Sequence, residues 1–202
     1  AAGAADMVLT DDNFASIVAA VEEGRSIFAN IQKFLLFLLS SNVGEVLVMF
    51  LGVVLAGALG LEAGGSAGII APLLAVQILW INLLTDAAPA LALGVEASDP
   101  GVMDRAPRDP TSSVITPLMW QRIVAIGVIM AVGTLLVLDW ELPGGFIPGT
   151  GTPDEARTLA FTTLVFYQLC NVFNARSETR SAFSHLFTNR WIWLAVASSA
   201  LL

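Results

Sequence analysis

Glu45 lies about eleven residues into an apolar run that opens at Phe34, roughly 16 Å along a helix and too deep for a short carboxylate to reach water. Asn42, three residues earlier, shares its helical face; Ser41 is close by, and Gly44 leaves room for a neighbouring helix. A second apolar run repeats the pattern, with Asn82, Thr85 and Asp86 at i, i+3 and i+4. Two carboxylates, two amides and a hydroxyl on facing helices make an oxygen-rich cage of the kind hard cations such as calcium prefer, whereas soft metals want sulfur or imidazole. Pro89 belongs to the same turn. It has no N–H, and its ring crowds the carbonyl of Thr85, so a helix broken at mid-membrane would offer both a ligand and a kink.

Buried Asn, Thr and Ser alone commonly hold helices together, but that role fits carboxylates poorly. An ionised carboxylate at mid-bilayer costs on the order of 2.5 to 3.5 kcal/mol on insertion scales, and such groups usually mark ion or proton paths. Gln168, in a later apolar stretch, has two equal readings: an oxygen for the cage, or a hydrogen bond to a neighbouring helix. Cys170 is the single cysteine, which excludes an intrachain disulfide, a thiolate metal site and a redox pair, and leaves it a packing role. His185 has no second histidine and reads as a solvated loop residue, as does Glu62.

The elements that must position these residues are membrane helices. Of the 202 residues 56% are apolar and only 13% charged, and the mean hydropathy is +0.78; the solvent is a bilayer. The net charge of −8 makes nucleic acid an unsuitable partner. Ala1 to Asp12 lacks the basic start and apolar core of a secretory signal. A short strand is expected at Met7 to Thr10, then Asp11 and Asp12 as caps for a helix beginning near Asn13. Phe14, Ile17, Val18, Val21 and Phe28 give that helix an apolar face, and it continues past Lys33 into the first span, so one helix of more than about 60 Å can join a cytoplasmic stalk to the membrane.

Residues 34–61, 71–93, 118–138 and 156–173 read as spans, with a further one opening at Trp191. Eight of the nine basic residues fall on one side of this arrangement. Only Arg157 lies on the other, beside the acidic, Pro/Gly-rich segment 139–155. That segment is therefore extracytoplasmic and the N-terminus cytoplasmic, with Trp120, Trp140 and Trp191 as interfacial anchors. The fold class is an all-α polytopic transmembrane bundle.

The stretches ADMVLTDDNFASIVAAVEEGRSIFANIQKF, SSNVGEVL, QILWINLLTDAAPALALGVE and MDRAPRDP resemble the C-terminal part of a P-type cation-transporting ATPase of the calcium-pump type, over nearly the whole chain. The resemblance implies that residues 1–33 are the end of an α/β phosphorylation domain and the stalk helix. Residues 34–202 are then the transmembrane domain, with helices five to eight complete, helix nine truncated and helix ten absent. Asn42, Glu45, Asn82, Thr85 and Asp86 match family positions that hold the transported ion, Asp86 serving both ions where two are bound. Gln168 stands where the sarcoplasmic-type pump has a glutamate, which puts ion identity and stoichiometry in question.

The DKTGT and TGES motifs, the nucleotide domain and the proline-interrupted fourth helix have no counterpart here, so ATP and Mg2+ would act only in the complete parent and this portion alone should be inactive. The expected function is export of Ca2+ from the cytoplasm across the plasma membrane, with lipid and the parent's missing N-terminal domains as partners. Sodium, manganese or protons as cargo, or a non-catalytic membrane subunit, are the alternatives.

Overall fold

The computed structural model describes residues 13–62, 68–98, 100–109, 112–176 and 189–201. The strand expected at Met7 to Thr10, the caps Asp11 and Asp12, and His185 lie outside these residues. Among the described residues six α-helices follow one another: α1 Phe14–Val54, α2 Ala75–Trp80, α3 Ala87–Gly94, α4 Pro117–Glu141, α5 Pro153–Ala175 and α6 Arg190–Leu201. Among the described residues the only extended pairing is an isolated bridge between Glu62 and Ile69.

The residues expected to form stalk and first span lie in one helix, α1, of 41 residues, or about 60 Å. It passes the compositional boundary at residue 33 without interruption. Its N-terminus is capped by Asn13 itself, whose Oδ1 accepts the Ala15 N–H at 3.0 Å. The helix ends at Val54 rather than 61, and turns occupy residues 55–60. Gly60 sits there at φ +68°, and a Cβ on it would lie 2.7 Å from the Gly144 carbonyl carbon, so only glycine fits.

The expected apolar stalk face is not covered: Phe14 is 73% exposed, and Val18 and Val21 are exposed too. Within the bundle, α1 packs on α4 through small residues. A Cβ on Gly127 would come within 2.5 Å of Val43 Cγ1 and 3.1 Å of the Gly44 nitrogen. Ala156, Ala160 and Leu164 of α5 fall at intervals of four and pack with Ala131, Leu135 and Leu138 of α4.

Among the described residues three helical stretches are long and apolar enough to cross a membrane: Phe14–Val54, Ala75–Gly94 and Pro117–Glu141. The chain is thus a multi-pass membrane protein. The expected span 156–173 is helical within α5, but α5 does not meet that apolarity, because Gln168 and Asn171 lower it; both turn inward and are buried against α1. Trp120, Trp140 and Trp191 are exposed, as interfacial anchors require.

The α5 N-terminus carries a full capping box. Thr152 Oγ1 accepts the Glu155 N–H at 3.3 Å, and Glu155 Oε2 accepts the Thr152 N–H at 2.8 Å. Thr152→Ala is expected to lower stability by about 1 kcal/mol, read as a lower thermal midpoint in detergent with the helix content unchanged.

Two apolar cores form. One gathers Leu36 and Phe37 of α1 with Leu93, Ile123, Val172 and Ile192. The other gathers Val48 with Leu73, Ile81, Met130, Leu135 and Leu164. On the buried face of α1, the residues between Phe37 and Val48 are Ser40, Ser41, Gly44 and Glu45. A polar layer therefore separates the two cores.

Candidate cation site

Glu45 is the hub of that layer. Burial leaves it 4% exposed, and both carboxylate oxygens accept hydrogen bonds. Asn82 Nδ2 of the second span donates to Oε2 at 2.6 Å, and Gln168 Nε2 of α5 donates to Oε1 at 2.8 Å. Three helical elements meet on one side chain. Asn82 also donates to the Ile78 carbonyl four residues back, at 3.0 Å.

Asp86 is 1% exposed, and neither of its carboxylate oxygens has a hydrogen-bond partner among the described residues. It lies four residues beyond Asn82, which donates to Glu45. A buried carboxylate without donors is unfavourable unless something positive arrives to satisfy it. Ser41 Oγ, Gln168 Oε1 and Asn171 Oδ1 are likewise buried without partners. The layer thus keeps unused oxygens from α1, α5 and the second span.

The expected mid-membrane break takes a different form. Between α2 and α3 the chain widens into a π-helical segment, Ile81–Thr85, in which the Asp86 N–H reaches back five residues to the Ile81 carbonyl at 2.9 Å. Helical bonding resumes at once, with the Ala90 N–H on the Asp86 carbonyl at 3.0 Å. Pro89 removes the donor that would have bonded Thr85, and the backbone takes up the misfit by adding a residue to the turn rather than by unwinding. Thr85 is buried at the end of this segment.

Asn42 departs most from expectation. It is exposed, and its Nδ2 donates to the Leu38 carbonyl at 2.8 Å. It still borders the site, because Asn42, Glu45 and Asn82 together line a groove of about 640 Å³ between α1 and α2 whose other walls include Met49 and Phe50. The inner side of the cage is closed by α5 and the outer side is this groove.

Ser40 and Asn171 are the residues that reading the sequence missed: Asn171 Nδ2 donates to Ser40 Oγ at 2.8 Å, both fully or nearly fully buried. The signal was present, since Gln168 and Asn171 are spaced i, i+3 on one face of α5. Among the described residues no group of three or more His, Cys, Asp or Glu side chains comes together. The donor set is therefore two carboxylates supplemented by amides and hydroxyls, which suits a hard cation and not zinc or copper. Cys170 is exposed on α5, away from the polar layer, and has no disulfide partner.

Residues 70–202 match the family described as "Cation transporting ATPase, C-terminus". The chain belongs to this family. Relatives of this cation-transporting ATPase region extend the match through α1. A calcium-transporting ATPase of Bacillus subtilis (strain 168) is 41% identical over 98% of the chain and 21% of its own length. Calcium-transporting ATPase 1 of Bacillus cereus is 40% identical over the entire chain and 23% of its own length. "Probable cation-transporting ATPase F" of Mycobacterium bovis is 39% identical over 98% and 20%. The chain spans about a fifth of the length of these relatives.

Proposed function

We propose that this chain is the ion-binding transmembrane part of an ATP-driven pump that exports Ca2+ from the cytoplasm. The observation that carries the reading is Asp86, a carboxylate buried in the bundle with neither oxygen partnered among the described residues, in a polar layer that holds a second buried carboxylate on a facing helix. In this reading Glu45, Asn82, Thr85 and Asp86 supply oxygens to the transported ion, and Asn42 joins them by turning its amide from Leu38 into the groove. Two relatives are named calcium-transporting ATPases, which supports calcium as cargo.

The chain's own residues divide the work. Glu45 and Asp86 supply two negative charges that offset one divalent ion in a low-dielectric layer. Gln168 and Asn82 hold Glu45 in orientation through its two oxygens. The groove between α1 and α2 is filled by a helix from the parent's preceding membrane domain, which completes the coordination and gates access. ATP and Mg2+ act in the parent's cytoplasmic domains, whose motion reaches the cage through α1; the uncovered Phe14, Val18 and Val21 face those domains. The N-terminus is cytoplasmic and the membrane is the plasma membrane. Without its parent this portion does not hydrolyse ATP.

Gln168 favours one alternative. Toward Glu45 it presents an N–H rather than an oxygen, so a smaller or singly charged cargo such as sodium, manganese or a proton is the competing reading. ATP-dependent uptake of radioactive calcium into vesicles carrying the full-length parent separates them. Saturable uptake that excess sodium and manganese leave intact is the expected result. ATP hydrolysis stimulated by another cation, without calcium uptake, would replace calcium with that cation.

A further inference from the structure

A second buried charge cluster lies at the opposite end of α3 from the cage. Glu96 follows α3, and its Oε1 accepts both Arg176 Nε at 3.2 Å and Arg176 Nη2 at 2.7 Å, from the end of α5. Both side chains are only 8% exposed. Asn189 Nδ2, just before α6, donates to Glu96 Oε2 at 2.6 Å and to the Ala92 carbonyl at 3.0 Å, while its Oδ1 accepts the Trp191 N–H at 2.9 Å. From the stalk, Asn30 Nδ2 donates to the Glu96 carbonyl at 2.7 Å. One residue is thus held by α1, α5 and the start of α6.

The opposite boundary of α3 is irregular. The π-helical turn Ile81–Thr85 joins it to α2 with i to i+5 bonds, a geometry that is rare and mostly confined to single turns. An eight-residue helix between such a turn and a loop takes its depth and rotation from its packing on α1 and α6 and from whatever fastens its far end. A buried ion pair contributes little net stability compared with apolar packing, so placement is the better account of why charges are buried here.

We propose that Glu96 is a positioning residue: clamped by Arg176 and Asn189, it fixes α3 and thereby the place of Asp86 in the cage, and Asn30 carries displacement of α1 to the same point. The cage half of this statement rests on the function proposed above. The clamp half does not.

Hydrogen exchange of the full-length protein without added cation, together with the cation dependence of its ATP hydrolysis, tests both halves. In Arg176→Gln the amides of residues 81–94 are expected to exchange about tenfold faster while those of 123–138 stay as in wild type. Half-maximal calcium-stimulated hydrolysis is expected to need about tenfold more calcium, with the maximal rate within about twofold. Adding Glu96→Gln removes the stranded carboxylate and leaves two amides able to bridge α3 and α5, so both readouts return to within about threefold of wild type.

Exchange at 81–94 unchanged in Arg176→Gln, or accelerated equally in α4, would overturn the clamp. A lower maximal rate at unaltered half-saturation would overturn the link from the clamp to Asp86. If wild-type hydrolysis ignores calcium, the calcium-pump reading falls, and the exchange result decides the clamp on its own.

Discussion

Asp86→Asn in the full-length pump is expected to abolish high-affinity calcium uptake and yet leave the ion-free protein as stable as wild type, or more so. The two effects have one cause. In the ion-free bundle the Asp86 carboxylate is buried with neither oxygen hydrogen-bonded among the described residues, so neutralising it removes an unfavourable group. With the ion present, the same change deletes half of the formal negative charge that Glu45 and Asp86 provide. Removing one partner from a buried charge pair typically costs about 3 kcal/mol or more, which is beyond a hundredfold in affinity. Equilibrium calcium binding and the thermal midpoint without calcium should therefore move in opposite directions or dissociate. A variant that keeps wild-type affinity would remove Asp86 from the site.

Gly127→Leu is expected to prevent the bundle from assembling. At this position α1 and α4 approach so closely that a β-carbon would lie 2.5 Å from Val43 Cγ1, and a β-carbon on Gly44 opposite would lie 3.2 Å from Met130. A branched side chain cannot be housed by a rotamer change, because Gly44 contributes backbone at 3.1 Å. Overpacking of this kind costs about 1 to 3 kcal/mol where a core can adjust, and more where backbone blocks it. Loss of monodisperse protein on size-exclusion chromatography is the expected readout. Gly24→Ala is the internal control, since nothing lies within 4 Å of that position on the stalk. It should stabilise α1 by about 0.8 to 1 kcal/mol.

What could be read from the sequence follows the physics of each segment. Periodicity carried α1 across the boundary between stalk and membrane because no proline or polar run interrupts it, and the depth of Glu45 in an apolar run was enough to mark it as a hub. The pairing of Glu45 with Asn82 and Gln168 needed the tertiary fold, although each residue had been singled out. Pro89 announced an irregularity without its form: a missing donor is compatible with an unwound turn or a widened one, and the packing of Ile81 and Thr85 into the bundle decides for the widened one. Asn42 borders the groove rather than facing the cage because helical spacing fixes a face only to within some tens of degrees, and its amide is satisfied locally by Leu38. Glu96, Arg176 and Asn189 are separated by up to 93 residues, and no local pattern joins them.

The contact between Gly44 and Gly127 also has a mechanical meaning. It is a point of close approach between α1 and α4 and adjoins Glu45, so it can serve as a fulcrum. Phe14 lies about 45 Å away along the rod, and a tilt of about 10° there sweeps the stalk tip through roughly 8 Å while Glu45 barely shifts. Swinging the long arm sideways is a poor way to disturb the carboxylate. Twisting the rod about its own axis would turn Glu45 away from Asn82 and Gln168 with little motion at the tip, so α1 is shaped to act on the site as a key rather than as an oar.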